Sequence, residues 1–150
     1  ANLSDLAGSF SKFPASSMTS RVFLILGALS ACLSVVFSAA FAHWPAFANG
    51  VPAMVQTALS QQQFHSLGLI LVGLALGWRG ASPWWRASGG LMVVGLVLFS
   101  FNIYARALLG FDGLRAWVPW GGSAWILAWL LLAVGAARPV GGAGCGYEGH

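Results

Sequence analysis

Between Arg21 and His43 lie twenty-one residues, Val22–Ala42, without one charged side chain. At 1.5 Å of rise per residue, a helix of that length reaches about the 30 Å of a hydrocarbon core. A helix on the surface of a water-soluble domain keeps one polar face. Here the only breaks in the apolar surface are small: Ser30, Ser34, Ser38 and Cys32. Such a run calls for lipid around it. Arg21, the apolar stretch and Ala40-Phe41-Ala42 also have the form of a secretory signal with an A-x-A cleavage site. The stretch is longer than the 7–15 residues of such a signal, so an uncleaved span is expected.

The rest of the chain supports the same reading. Charged residues make up 7% of the sequence and the mean hydropathy is +0.78, whereas a soluble domain carries about 25% charged residues. Apolar runs punctuated by breakers predict four spans, at about 22–42, 58–78, 87–109 and 120–137. The breakers are Pro45, Asn49-Gly50 and Pro52, then an Arg79–Arg86 turn holding Pro83, Trp84 and Trp85, then Gly110-Phe111-Asp112-Gly113, and finally Arg138-Pro139. The second span is the least apolar. Phe64–Trp78 is too short alone and must be extended back through Gln61-Gln62-Gln63, whose amides must face protein or interfacial water. The expected fold class is all-α, an integral membrane bundle of four transmembrane helices over 21–138. A polar N-terminal extension, 1–20, is expected to form either a mobile tail or a surface helix carrying Leu3, Leu6, Phe10 and Phe13. A flexible Gly-rich tail is expected over 139–150.

The net charge of +4 comes from basic residues spread singly: Lys12, Arg21, Arg79, Arg86, Arg106, Arg115 and Arg138. A nucleic-acid footprint would cluster them on one face, so no nucleic-acid partner is expected. With four crossings, Lys12, Arg21, Arg79, Arg86 and Arg138 share a side with both termini. Basic residues gather in cytoplasmic loops, so both termini are expected in the cytoplasm. Tryptophans beside arginines at 79–86 fit a headgroup-level anchor.

Membrane helices associate through small residues and polar contacts. The sequence offers Gly27 with Ala31, the ladder Ser30-Ser34-Ser38-Ala42, Gly73 with Gly77, Gly90 and Gly95, and Gly121-Gly122-Ser123. Cys32 and Cys145 should lie at different depths and stay unbridged, with Cys32 a small packing residue.

One polar constellation falls in the outer half of this bundle: His43, Gln61 and His65, with Asn102, Tyr104 and Arg106. Gln61 and His65 are four apart on one helix face, as are Asn102 and Arg106. Two readings stay open. These groups either hydrogen-bond between helices and fix their register, or line a ligand site, with His43 and His65 able to ligate a haem or chlorophyll-type pigment. The three acids, Asp5, Asp112 and Glu148, lie outside the spans. No paired carboxylates, nucleophile triad or metal motif stands out, so no catalytic residue and no metal site are expected.

The stretches Phe37–His43 (FSAAFAH), Thr57–Leu69 (TALSQQQFHSLGL), Gly95–Gly110 (GLVLFSFNIYARALLG) and Pro119–Val134 (PWGGSAWILAWLLLAV) resemble a family of small bacterial inner-membrane proteins. That family is the domain of unknown function 423, related to transmembrane protein 256. With Arg21–Ala31 the resemblance covers Arg21 to Ala137. It implies a compact four-helix protein of the bacterial inner membrane and brings no established activity. His43, His65 and the glutamine before it match recurrent family positions.

The function expected from all this is non-enzymatic. The first expectation is an accessory or stabilising subunit of a larger membrane complex, of respiratory or photosynthetic type, bathed in membrane lipids. The alternatives are a small transporter or channel using the outer polar pocket, and a haem- or pigment-binding subunit.

Overall fold

The computed structural model describes residues 17–138. The Gly-rich tail, Cys145 and the stretch 1–16 of the polar extension lie outside the described residues. Four long helices account for the fold, and no strand occurs among the described residues. Helix α1 is Met18–His43. The Ser17 hydroxyl accepts the Ser20 N–H at 3.2 Å and caps its start. The helix therefore begins inside the expected extension, and Arg21 sits in its first turn rather than before it. Trp44, in extended backbone, and Pro45 end it.

Helix α2, Ala53–Arg79, starts after Pro52 and stops at Gly80, whose φ of 85° suits a residue without a Cβ. Pro83 then opens α3 at once, since its fixed φ suits the first helical turn. The turn expected over 79–86 is thus shorter, and Trp84, Trp85 and Arg86 are helical. Helix α3 runs Pro83–Leu109. It is α-helical to Gly95, π-helical over Leu96–Phe101 and α-helical again over Asn102–Leu109. It closes on left-handed Gly110, and the Phe111 N–H reaches back to the Ala105 carbonyl at 3.4 Å. Helix α4 is Val118–Ala137, with Pro119 in its first turn.

Successive helices are antiparallel. Hydrogen bonds near the helix ends pair an early residue with a late one: Ser20 with Gly73, Ser100 with Ala58, Trp85 with Leu132. Helix α1 lies along α2, α3 lies along α4, and α2 meets α3 between the pairs. The contacts between α1 and α2 are close because glycines sit there. A methyl on Gly27 would stand 2.8 Å from the Ser66 carbonyl, and one on Gly73 3.0 Å from the Leu24 nitrogen. Between α3 and α4, Gly95 admits the Trp125 indole and Gly135 admits that of Trp85. Gly90 meets nothing; its neighbour Gly89 is the one that takes a ring, from Phe23.

The core has two parts. Leu69, Val72 and Leu76 of α2 pack with Phe23, Met92, Leu96 and Trp125 toward the middle. Phe41, Val55, Ala58, Ile103 and Tyr104 form a second cluster near the His43 end. Leu29, Val35, Leu71, Leu74, Ile126 and Leu130 point outward and are more than half exposed. Three helical stretches are long and apolar enough to cross a membrane: Met18–His43, Pro83–Leu109 and Arg115–Ala137. Helix α2 is as long, at 27 residues, but its glutamines and histidine lower its hydropathy. It also buries the bulkiest polar groups of the two-helix pair with α1: Gln62 and His65, with Ser66, are buried, whereas α1 buries only serines. Cys32, expected in the packing, is instead exposed on the outward side of α1.

Candidate functional site

Gln62, on the inward face of α2, is fully buried at 0% exposure. Its amide nitrogen donates to the Ser30 carbonyl of α1 at 3.1 Å and lies 3.5 Å from the Ser30 hydroxyl. The Ser66 oxygen lies 2.7 Å from Ser30 Oγ and 2.6 Å from the Gln62 carbonyl. One hydroxyl proton serves one acceptor, so the consistent assignment runs one way: Ser30 donates to Ser66 and Ser66 donates to the Gln62 backbone. On the other side, the Tyr104 phenol of α3 donates to Gln62 Oε1 at 2.8 Å. One amide thus joins three helices, and its own donors and acceptor are all used.

His65 lies nearly one turn further along α2 and is buried, at 3% exposure. Its ring is parallel to the Trp125 indole, with centroids 3.9 Å apart and planes 7° apart. The Trp129 indole N–H can only donate, so His65 Nε2, at 3.1 Å, accepts. Nδ1 then carries the proton and donates to the Gln61 carbonyl at 2.8 Å. The imidazole is neutral, with both nitrogens engaged. A pigment metal on Nε2 would have to displace the Trp129 indole.

The remaining sequence candidates are dispersed. His43 is exposed at the end of α1 and belongs to neither group. Asn102 is buried, and its amide donates to the Leu98 carbonyl at 3.1 Å and to Leu114 at 2.6 Å. It fastens the α3–α4 connection to α3. Arg106 Nε pairs with Asp112 Oδ1 at 2.9 Å, half in solvent. The structure therefore brings together Gln61 with His65, and Tyr104 with Gln62 rather than Gln61, and leaves His43, Asn102 and Arg106 apart. No group of three metal-ligating side chains occurs among the described residues.

Sequence reasoning named Ser30 only as a small packing residue and Gln62 only as one of three glutamines needing polar surroundings, and missed Ser66, Trp125 and Trp129 as site residues. The Gln61-Gln62-Gln63 triplet carried the signal, but adjacent positions differ by about 100° around a helix, and the sequence alone does not say which glutamine faces inward. Beside His65 an open groove of about 340 Å³ runs between α2 and α4, floored by Phe99 of the π-helical segment. A second groove of about 370 Å³, between α3 and α4, is lined by Leu91, Leu98, Trp117, Trp120 and Leu127.

Antiparallel helices with leucine and valine outward, and with hydroxyls and amides bonded inward, define a multi-pass helical membrane protein. The comparisons agree. The chain belongs to the family described as protein of unknown function (DUF423), whose model matches residues 37–122. It is 36% identical over 126 residues to the UPF0382 inner membrane protein YgdD of Escherichia coli (strain K12), a match covering 81% of this chain and 93% of that one. A UPF0382 membrane protein of Staphylococcus epidermidis (strain ATCC 12228 / FDA PCI 1200) is 33% identical over 123 residues, covering 81% and 99%. No solved structure matches. The resemblance read from the sequence is thereby established, and the inner membrane is the protein's location.

Proposed function

We propose that the protein crosses the inner membrane four times, with both ends in the cytoplasm, and acts there as a non-enzymatic accessory subunit that stabilises a larger membrane complex. The observation that carries this reading is how the interior polar groups are used. Among the described residues every buried side-chain nitrogen and oxygen has a hydrogen-bond partner. Ser20, Ser88, Ser100, Trp85 and Trp125 donate to backbone carbonyls of the neighbouring helix. Bonds of this kind hold helices in register. They leave a rigid body whose outward features are apolar faces and grooves, the surface a membrane-embedded neighbour packs against.

Four crossings are supported by the length of α2 and by its antiparallel place among three apolar helices, with its inward polar groups bonded. The orientation is supported by the gathering of Arg21, Arg79, Arg86 and Arg138 at one end. At that end Arg138 lies 4.5 Å from the Trp84 ring centre and Arg79 5.6 Å from that of Trp85. The test of the functional reading is extraction from the host's own membranes into native nanodiscs, followed by mass measurement of the intact particles. A stoichiometric membrane-protein partner is expected; particles holding this chain alone would overturn the reading.

A further inference from the structure

The groove beside His65 has a makeup that lipid chains do not require. Four aromatic rings contribute to its lining: Trp125 and Trp129 from α4, Phe64 from α2 and Phe99 from the π-helical segment of α3, with Phe64 the most exposed and Trp125 buried behind the others at 4% exposure. These rings brace one another. Phe64 and Trp129 centroids are 5.3 Å apart, Phe99 and Trp125 5.0 Å. His65, stacked on one indole and bonded to the other, locks both. The π-helical turn that supplies Phe99 is a feature frequent at functional sites in helices. No charged side chain lines the groove.

One polar side chain does line it. Gln61 is half-buried, and its side-chain amide has no hydrogen-bond partner among the described residues. An amide with no protein partner is free to bond water or a ligand in the groove. The opening is made by Gly122, where an added Cβ would meet nothing within 4 Å. Gln61 and Gly122 lie about 12 Å and about 6 Å along their helices from Ala53 and Val118, so the groove's polar corner is near the membrane boundary.

We propose that this groove binds the head ring of a quinone-class lipid. Such a ring is neutral, flat and membrane-soluble. It packs against the accessible rings of Phe64 and Trp129, a ring carbonyl accepts from the Gln61 amide, and its tail runs inward along the apolar surface. An acyl chain would gain only area from these walls, whereas a ring also gains stacking. The site does not depend on the accessory-subunit reading, because it is formed by this chain alone.

The test uses the purified protein in nanodiscs of saturated phosphatidylcholine, titrated with decylubiquinone while tryptophan fluorescence is followed. Saturable quenching is expected. Gly122→Leu puts a side chain into the opening at a position where the added Cβ meets nothing within 4 Å, and should weaken apparent affinity about tenfold or more, with an unchanged helical circular dichroism spectrum. Gln61→Leu, on a half-exposed position, should weaken it several-fold and serves if the first variant misfolds. Unsaturable quenching, or quenching equal in the wild type and the variants, would overturn the proposal. So would displacement of the quinone by 1-decanol at equal concentration, which would make the groove a chain site and not a ring site.

Discussion

The Tyr104 phenol donates to Gln62 Oε1 across 2.8 Å, and this bond ties the α1–α2 pair to α3 inside the second core cluster. Both partners are essentially out of contact with solvent, at 4% and 0% exposure. Tyr104 also packs edge-on against Phe37 at 5.0 Å, so the ring stays in place when its hydroxyl is removed.

Tyr104→Phe is therefore expected to leave the fold intact and to lower stability by about 1 kcal/mol, within the range of interhelical hydrogen bonds in membranes. Gln62→Leu should cost more, about 2 kcal/mol, because it removes the bond to the Ser30 carbonyl as well and leaves the buried Tyr104 hydroxyl without its acceptor. Reversible unfolding in mixed dodecyl sulfate micelles measures both. Equal unfolding midpoints for wild type and Tyr104→Phe would mean that the bond carries no net stability.

The glycines divide into two classes that sequence spacing does not distinguish. Gly27 and Gly121 face backbone: an added methyl would lie 2.8 Å from the Ser66 carbonyl and 2.7 Å from the Phe99 nitrogen, respectively. Backbone in a packed helix pair cannot step aside, so Gly27→Ala and Gly121→Ala should destabilise by about 1–3 kcal/mol. At Gly90 and Gly122 nothing lies within 4 Å. There alanine should be neutral or stabilising by up to about 1 kcal/mol, from reduced backbone freedom in the unfolded chain. The same unfolding assay ranks the four.

How much of this was legible beforehand depends on what a residue type alone determines. Val22–Ala42, Pro83, Gly110 and Pro119 act locally, through apolar length, fixed φ and left-handed backbone, and helix existence followed from them. The grouping of polar residues did not follow, because it depends on helix phase. Gln61 and His65 share a face, as four-residue spacing requires, yet the three-helix network is built on Gln62, one position away. His43 and Asn102 were grouped by depth alone, and depth does not bring side chains together. The π-helical segment at Leu96–Phe101 has no mark in the sequence. It arises where Gly95 and Gly121 let α3 and α4 close around Trp125 and Phe99.

The hydrogen bonds of His65 fix its chemistry. With Nε2 accepting from Trp129 and Nδ1–H donating to Gln61, nitrogen-15 spectra of the labelled imidazole should show the neutral Nδ1-protonated tautomer. Trp129→Phe keeps the ring but removes the donor, and should release Nε2. Added haemin is expected to give no axially ligated spectrum with the wild type. A ligated spectrum that His65→Ala abolishes would show that the indole yields to a metal and would favour the pigment reading.

The crossing by α2 admits a direct test, because its two ends are bounded by exposed turns. Asn49 lies in the connection before it and Ala81 in the turn after it, and both are exposed. In a background of Cys32→Ser and Cys145→Ser, Asn49→Cys and Ala81→Cys each carry a single thiol. A membrane-impermeant maleimide added to intact spheroplasts is expected to label Asn49→Cys, and to label Ala81→Cys only after permeabilisation. The reverse pattern would invert the orientation drawn from Arg21, Arg79, Arg86 and Arg138. Labelling of both from one side would mean that α2 does not cross. Its polar residues are the physical reason the question is sharp: Gln62 and His65 are tolerable at that depth because α1, α3 and α4 supply their partners. Gln62→Leu, which makes α2 more apolar, should therefore leave the labelling pattern unchanged even as it loosens the bundle.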